Sequence, residues 1–81
     1  MVAKVLHDSM TLGRALQDAR RRLGLSQAVV AERSGVRQAT VSEIEQGRTR
    51  VAFETVLRVM SALELELLCQ PRSAQPESHW E

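Results

Sequence analysis

Apolar residues recur every three or four positions along two stretches of the chain, which is the spacing of amphipathic helices. Residues 11–23 carry one such face, formed by Leu12, Ala15, Leu16, Ala19 and Leu23. Residues 53–63 carry another, formed by Phe53, Val56, Leu57, Met60 and Leu63. Ser9 or Thr11 can cap the first of these helices, and Gly24 can end it. We therefore expect an all-α fold of four to five helices around one core.

The stretch between them, residues 26–47, has the pattern of two short amphipathic helices joined by a tight turn. Ser26 is a good N-cap for the first helix, and Gly35 can adopt the left-handed conformation that ends it. In the second helix Val41 and Ile44 face inward together, because they lie three positions apart. The residues that are left pointing outward are Arg37, Gln38, Ala39, Ser42 and Glu43. This pattern predicts a helix-turn-helix whose second helix presents side chains to the base edges of DNA.

The segment 64–69 changes the apolar period to two, with Leu65, Leu67 and Cys69 on one side. This period favours a short β-strand. Because a lone strand cannot satisfy its backbone groups in a helical monomer, we expect it to pair with the same strand of a second subunit and form a homodimer. The alternative is that Glu and Leu, both good helix formers, extend the fourth helix through this segment.

The last stretch, residues 70–81, contains two prolines, two serines and no apolar period, so we expect a flexible tail. It also holds Trp80, the only tryptophan. Tryptophan is a favoured anchor in protein interfaces, and an incidental exposed residue is the alternative. The predicted organisation is thus an N-terminal arm over 1–10, a helix-turn-helix domain over 11–63, a dimerisation strand over 64–69 and the tail.

The formal net charge of +1 is the sum of two opposed halves. Residues 11–50 hold eight arginines against four acidic residues, a net charge of +4. Residues 51–81 hold two arginines against five acidic residues, a net charge of −3. The predicted DNA-reading helix lies in the positive half, where attraction to phosphate requires it.

Cysteine and histidine are too few and too dispersed to indicate a catalytic or metal centre. A single cysteine excludes an internal disulfide framework and favours a reducing, cytoplasmic compartment. His7, His79 and Cys69 do not form a catalytic pattern, and no glycine-rich phosphate loop is present. No stretch is apolar enough to span a bilayer, and the first residues lack a signal-peptide core. We therefore expect no enzyme activity, no metal or other cofactor, no small-molecule substrate and no membrane partner.

Several short motifs in residues 10–63 resemble the lambda-repressor-like, Xre-type helix-turn-helix family. They are Arg20, Ser26-Gln27, Ser34-Gly35-Val36, Gln38-Ala39-Thr40-Val41-Ser42 and Glu45-x-Gly47. Farther along, the chain resembles the HipB-type antitoxins of HipBA toxin–antitoxin modules in Leu63-Glu64-Leu65, Cys69, Pro76-Glu77-Ser78 and Trp80. The second resemblance implies a dimeric autorepressor that binds double-stranded operator DNA and inactivates a HipA-type serine/threonine kinase toxin. The alternative is a stand-alone regulator or an antitoxin of a different toxin.

The Xre-type resemblance also implies roles for individual residues. Gln38 would lead base readout by bonding adenine, while Arg37 would reach guanine or a phosphate. Ala39 would touch a thymine methyl, Ser42 would donate or accept a hydrogen bond, and Glu43 would read cytosine or face solvent.

The remaining roles implied by the resemblance are contacts with the DNA backbone, a structural ion pair and a toxin contact. The residues placed on phosphate are Gln27, Thr40, Arg48 and Arg50. Arg20 of the first helix would pair with Glu45 at the end of the third. The HipB-type resemblance implies the toxin as a partner, and the chemistry of Trp80 makes this residue the expected anchor of a flexible tail on it.

Overall fold

The computed structural model describes residues 4–48 and 50–72 of the chain. In this part the chain forms four α-helices and no other regular element, which confirms the predicted all-α helix-turn-helix fold. The helices are α1 (Ser9–Arg22), α2 (Gln27–Ser34), α3 (Gln38–Glu45) and α4 (Phe53–Ala62). No helix among these residues is both long and apolar enough to cross a membrane. Of the expected tail, the structure describes 70–72, so Trp80 lies outside the described residues.

The start of α1 differs from the expected cap. Asp8 is the N-cap, and its carboxylate accepts a hydrogen bond from the Thr11 backbone N–H at 2.8 Å. The Thr11 hydroxyl in turn accepts from the Asp8 backbone N–H at 3.1 Å. Ser9 is the first helical residue, so the prediction of Ser9 or Thr11 as the cap was wrong. A reciprocal capping box forms because the aspartate and the hydroxyl lie three positions apart.

The turn between α2 and α3 is set by two local features. The Ser26 hydroxyl caps α2 by accepting from the Val29 N–H at 3.1 Å. Gly35 ends α2 in the left-handed conformation, with φ of 72°, and the Val36 N–H then bonds back to the Ala31 carbonyl at 3.1 Å. Both features were predicted, because a cap and a left-handed glycine act through neighbouring backbone atoms.

The core lies where α3 packs against α1 and α2, and where α2 packs against α4. Its buried residues are Leu16, Ala19, Val30, Ala31, Val41, Ile44, Val56, Val59, Met60 and Leu63. Two residues of the expected face of α4 are exceptions, since Phe53 is 63% exposed and Leu57 is also exposed. The buried face of α4 is centred on Val56 and Val59, which leaves Phe53 and Leu57 on one flank of the helix.

Close approach of α1 to α3 depends on Gly13. A β-carbon at this position would overlap the backbone carbonyl oxygens of Ile44 and Glu45 at the C-terminal end of α3. The absence of a side chain therefore lets α1 lie directly against the last turn of α3, close to where Arg20 and Glu45 meet.

The alternative in which α4 continues through 64–69 is wrong. Glu64 adopts a left-handed conformation, with φ of 60°, directly after the end of α4. The Leu65 N–H then bonds to the Met60 carbonyl at 2.9 Å, and the Leu65 side chain packs on the core. This is the hydrogen-bonding pattern of a Schellman motif, which ends a helix and redirects the chain.

The segment after this turn has no strand hydrogen bonding within the single chain, as far as residue 72. Leu67 and Cys69 are exposed, whereas Leu65 is half-buried. Because the predicted ladder would be formed with a second subunit, the dimerisation strand stays a prediction.

Candidate nucleic-acid interface

A buried ion pair joins the first and third helices beneath the predicted DNA-facing surface. Arg20 Nε donates to Glu45 Oε2 at 2.6 Å, and Arg20 Nη2 donates to Glu45 Oε1 at 3.0 Å. The Glu45 side chain is 3% exposed and that of Arg20 12%. Arg20 Nη1 also donates to the Leu25 carbonyl at 3.0 Å, so the same guanidinium holds the connection between α1 and α2. Arg20 and Glu45 thus form the structural pair that the resemblance implied.

Two glutamines complete the coordination of the Glu45 carboxylate. Gln27 Nε2 donates to Glu45 Oε1 at 3.0 Å, and Gln17 Nε2 donates to the same oxygen at 3.4 Å. Gln27 had been expected on phosphate, and its amide nitrogen keeps a second N–H for such a contact. Gln17 was not predicted to belong to this site, although its position three residues before Arg20 places both on one face of α1.

The surroundings of Glu45 act on its pKa in opposite directions. Burial acts to raise the pKa of this carboxyl, but hydrogen bonds from Arg20 and Gln27 and the charge of Arg20 outweigh burial. The pKa of Glu45 therefore lies below its ordinary value of 4.5. Hydrogen bonding to Glu45 raises the pKa of Arg20, so both partners remain charged at neutral pH.

The outer face of α3 brings together the predicted base-reading residues. Gln38, Ala39 and Glu43 are exposed, while Ser42 is half-buried. Ser42 Oγ accepts a hydrogen bond from Gln46 Nε2 at 2.8 Å, one helical turn farther on. Gln46 had not been singled out from the sequence, although a spacing of four residues on a helix places it beside Ser42.

The residues expected on phosphate lie on different edges of this face. Arg37, Thr40 and Arg50 line one groove beside the N-terminal part of α3. Arg48 lies at the other end of α3 and donates to Gln46 Oε1 at 3.4 Å. All three arginines are exposed, so cationic side chains flank the outer face of α3 at both ends.

Helices α3 and α4 lack the side-chain N-cap hydrogen bond that α1 and α2 have. Arg37 and Ala52 are the N-caps of α3 and α4, and neither provides a side-chain hydrogen bond to the first turn. The first backbone N–H groups of an α-helix have no partner within the helix. Their partial positive charge suits phosphate oxygens.

Comparison with known proteins agrees with this geometry. The family described as "Helix-turn-helix domain" matches residues 11–67. Antitoxin HipB of Escherichia coli strain K12 is 30% identical over 74 residues, covering 90% of this chain and 84% of HipB. The chain belongs to the HipB-type helix-turn-helix family.

Solved structures extend the similarity to three dimensions. The HipA–HipB–O2–O3 complex contains a chain that superposes with a TM-score of 0.78 at 25% identity, covering 86% of this chain and all of that one. A HipB–O4 20mer complex gives the same TM-score and the same identity. The restriction–modification controller protein C.AhdI from Aeromonas hydrophila gives a TM-score of 0.67 at 32% identity, covering 73% of this chain and 86% of its own.

We expect Glu45→Gln to lower the free energy of unfolding at pH 7 by about 3 kcal/mol, because Arg20 keeps its charge in a nearly buried position without a counter-charge. The folded state lowers the pKa of Glu45, so the stability from this group is complete above about pH 4.5 and is lost as the pH falls through the folded pKa. Urea unfolding followed by circular dichroism at pH 7 and pH 3 measures both effects.

Glu32→Gln is the matched control, because Glu32 is exposed on α2. This variant should unfold like the unmodified chain at both pH values. Asp8 will leave some acid dependence in every variant, since its hydrogen bonds with Thr11 lower its pKa as well. An acid dependence in Glu45→Gln equal to that of the unmodified chain would contradict the assignment.

Proposed function

We propose that this protein is a sequence-specific transcriptional repressor that acts as the antitoxin of a type II toxin–antitoxin module. It binds operator DNA of its own operon and inactivates a HipA-type serine/threonine kinase. The observation that carries the proposal is the outer face of α3, where exposed polar and small side chains follow a glycine turn. HipB–20mer complexes and a HipA–HipB complex among the structural neighbours support this assignment.

The proposed base contacts follow from the chemistry of this face. Gln38, the first residue of α3, can donate to and accept from adenine N7 and N6 in the major groove. Ala39 is small enough to admit a thymine methyl, and Arg37 can reach guanine or a phosphate. Ser42 and Glu43 lie one turn farther along the helix, where Glu43 would accept from cytosine N4 or face solvent.

The proposed contacts with the DNA backbone position α3 in the major groove and do not depend on the base sequence. Gln27 offers the second N–H of its amide, and Thr40 offers a hydroxyl beside Arg37. Arg48 and Arg50 contribute charge at the two ends of α3. Such contacts set affinity and register, whereas contacts with base edges set specificity.

A stand-alone regulator is the second candidate, and the similarity to C.AhdI favours it specifically. That controller protein is 32% identical, although its similarity covers a smaller part of this chain than that of HipB. Both candidates use the same DNA-binding surface. A neighbouring reading frame with kinase motifs, and co-purification of its product with this protein, would distinguish the antitoxin from the stand-alone regulator.

We expect Gln38→Ala to lose about 1–3 kcal/mol of discrimination between the operator and a duplex altered at the contacted adenine. Arg48→Ala is the matched comparison, because it should weaken all sequences similarly. A dimer should span two half-sites roughly 34 Å apart, so moving the half-sites closer or farther apart in the duplex should weaken binding. Anisotropy titrations with the DNA upstream of the reading frame, at several salt concentrations, measure these effects. Absence of any sequence preference at moderate salt would refute the repressor assignment.

We also expect Leu67→Pro to dissociate the homodimer, because proline removes a donor from the proposed ladder between subunits. Operator affinity should fall as the dimer dissociates, because separate subunits then bind the two half-sites independently. Glu66→Ala is the control, because it keeps every backbone N–H and should remain dimeric. Sedimentation velocity measures the outcome. A tight dimer in the Leu67→Pro variant would show that other surfaces, such as α4, hold the subunits together.

The proposed toxin contact of Trp80 is tested separately from DNA binding. Trp80→Ala should lose about 2 kcal/mol of toxin affinity, because it removes the proposed aromatic anchor, and the cost of ordering the predicted tail on binding keeps that loss moderate. Operator affinity should not change. Calorimetric titration of the kinase with the full chain, the variant and a chain truncated at Pro71 measures the effect. Equal toxin affinity of all three would place the interface on the folded domain.

A further inference from the structure

A groove of about 410 Å³ lies between α3 and α4. It opens beside the N-terminal part of α3, next to the residues proposed to read bases. The polar side chains that line it are Arg37, Thr40, Glu43, Arg50, Thr55 and Arg58. Thr55 and Arg58 belong to α4 and have no role in the interface described so far.

The groove is cationic and suited to an anion. Three arginines and one acidic residue, Glu43, line it. Arg37, Arg50 and Arg58 form no ion pair with any residue of 4–48 or 50–72. Arginine presents a planar set of N–H donors that matches the oxygens of a phosphate, and the hydroxyls of Thr40 and Thr55 add two further donors.

The core holds this flank of α4 in place. Val56 and Val59 are buried, which fixes the rotation of α4 about its axis. Thr55 and Arg58 lie three residues apart on the flank that lines the groove, whereas Phe53 and Leu57 lie on the other flank. The position of Arg58 therefore follows from packing and needs no ordering of a loop.

We propose that this groove binds a phosphate of the DNA backbone and that Arg58 and Thr55 are DNA-positioning residues. The inference rests on the proposed DNA-binding function and extends the interface from α3 and its flanking loop onto α4. Arg37 and Arg50 approach the same phosphate from the opposite side of the groove. The contact adds affinity without sequence preference, because a phosphate is the same at every base pair.

The test measures the affinity of Arg58→Gln for the operator and for a shuffled duplex of the same length, from 0.05 to 0.3 M salt. Each phosphate contact contributes about 0.9 to the slope of log affinity against log salt, so the slope should fall by about one. Affinity for both duplexes should fall roughly fivefold to tenfold at 0.1 M salt. Arg58→Lys should recover most of the slope, because it keeps the charge, and Thr55→Val should cause a smaller uniform loss.

Arg14→Gln is the matched control. Arg14 is an exposed arginine of α1, and the neighbouring Gly13 packs on the C-terminal end of α3, away from the groove. This variant loses the same charge and should keep the slope of the unmodified chain. Thermal unfolding checks that every variant is folded at the temperature of the titrations.

The outcomes separate this inference from the proposed function. If the unmodified chain shows no sequence preference, the repressor assignment fails, and the inference fails with it. If the unmodified chain binds its operator and Arg58→Gln has an unchanged slope, the inference alone is overturned. A loss of kinase affinity in Arg58→Gln with unchanged DNA binding would also overturn it, and would assign the groove to a protein partner.

Discussion

The buried carboxylate of Glu45 is the constraint on which the arrangement of the first three helices depends. A charge that is almost fully removed from water must be neutralised and hydrogen-bonded. Arg20 supplies the charge from α1, and Gln27 supplies a further donor from the start of α2. The donors reach the carboxylate together only while the three helices keep this packing, so the ion pair and the apolar core around it hold the helix-turn-helix in one arrangement. Gly13 permits it by letting α1 touch the end of α3.

The surface that α3 presents follows from this geometry. Burial of Val41 and Ile44 and the bond between Glu45 and Arg20 fix the rotation of α3 about its axis. Gln38, Ala39 and Glu43 are therefore exposed to solvent. Protein–DNA recognition gains from a reading helix whose position is fixed before binding, because ordering it on binding costs free energy. The ion pair thus contributes to the proposed readout without touching DNA, since it holds the helix that carries the base-reading residues.

The turn at the end of α4 directs the chain into the segment proposed to form the homodimer. The left-handed conformation of Glu64 stops the helix and brings Leu65 back onto the core, and residues 66–72 beyond it are exposed. A chain of 81 residues buries only a modest core, and a second subunit would add to it. Dimerisation and operator binding are then linked, because two half-sites need two reading helices at a set distance.

Features that act over a few residues could be predicted from the order of amino acids alone. The four helical periods, the Ser26 cap and the Gly35 turn could be predicted, because each depends on neighbouring backbone atoms or on the repeat of one helix. Which residues of an apolar face are buried depends on how the helices pack, as the exposure of Phe53 and Leu57 shows. The tertiary structure also brought Gln17 and Gln27 to Glu45, and it placed Arg58 and Arg37 along one groove, across long separations in sequence. Such contacts depend on how helices pack against one another, and no local period encodes that packing.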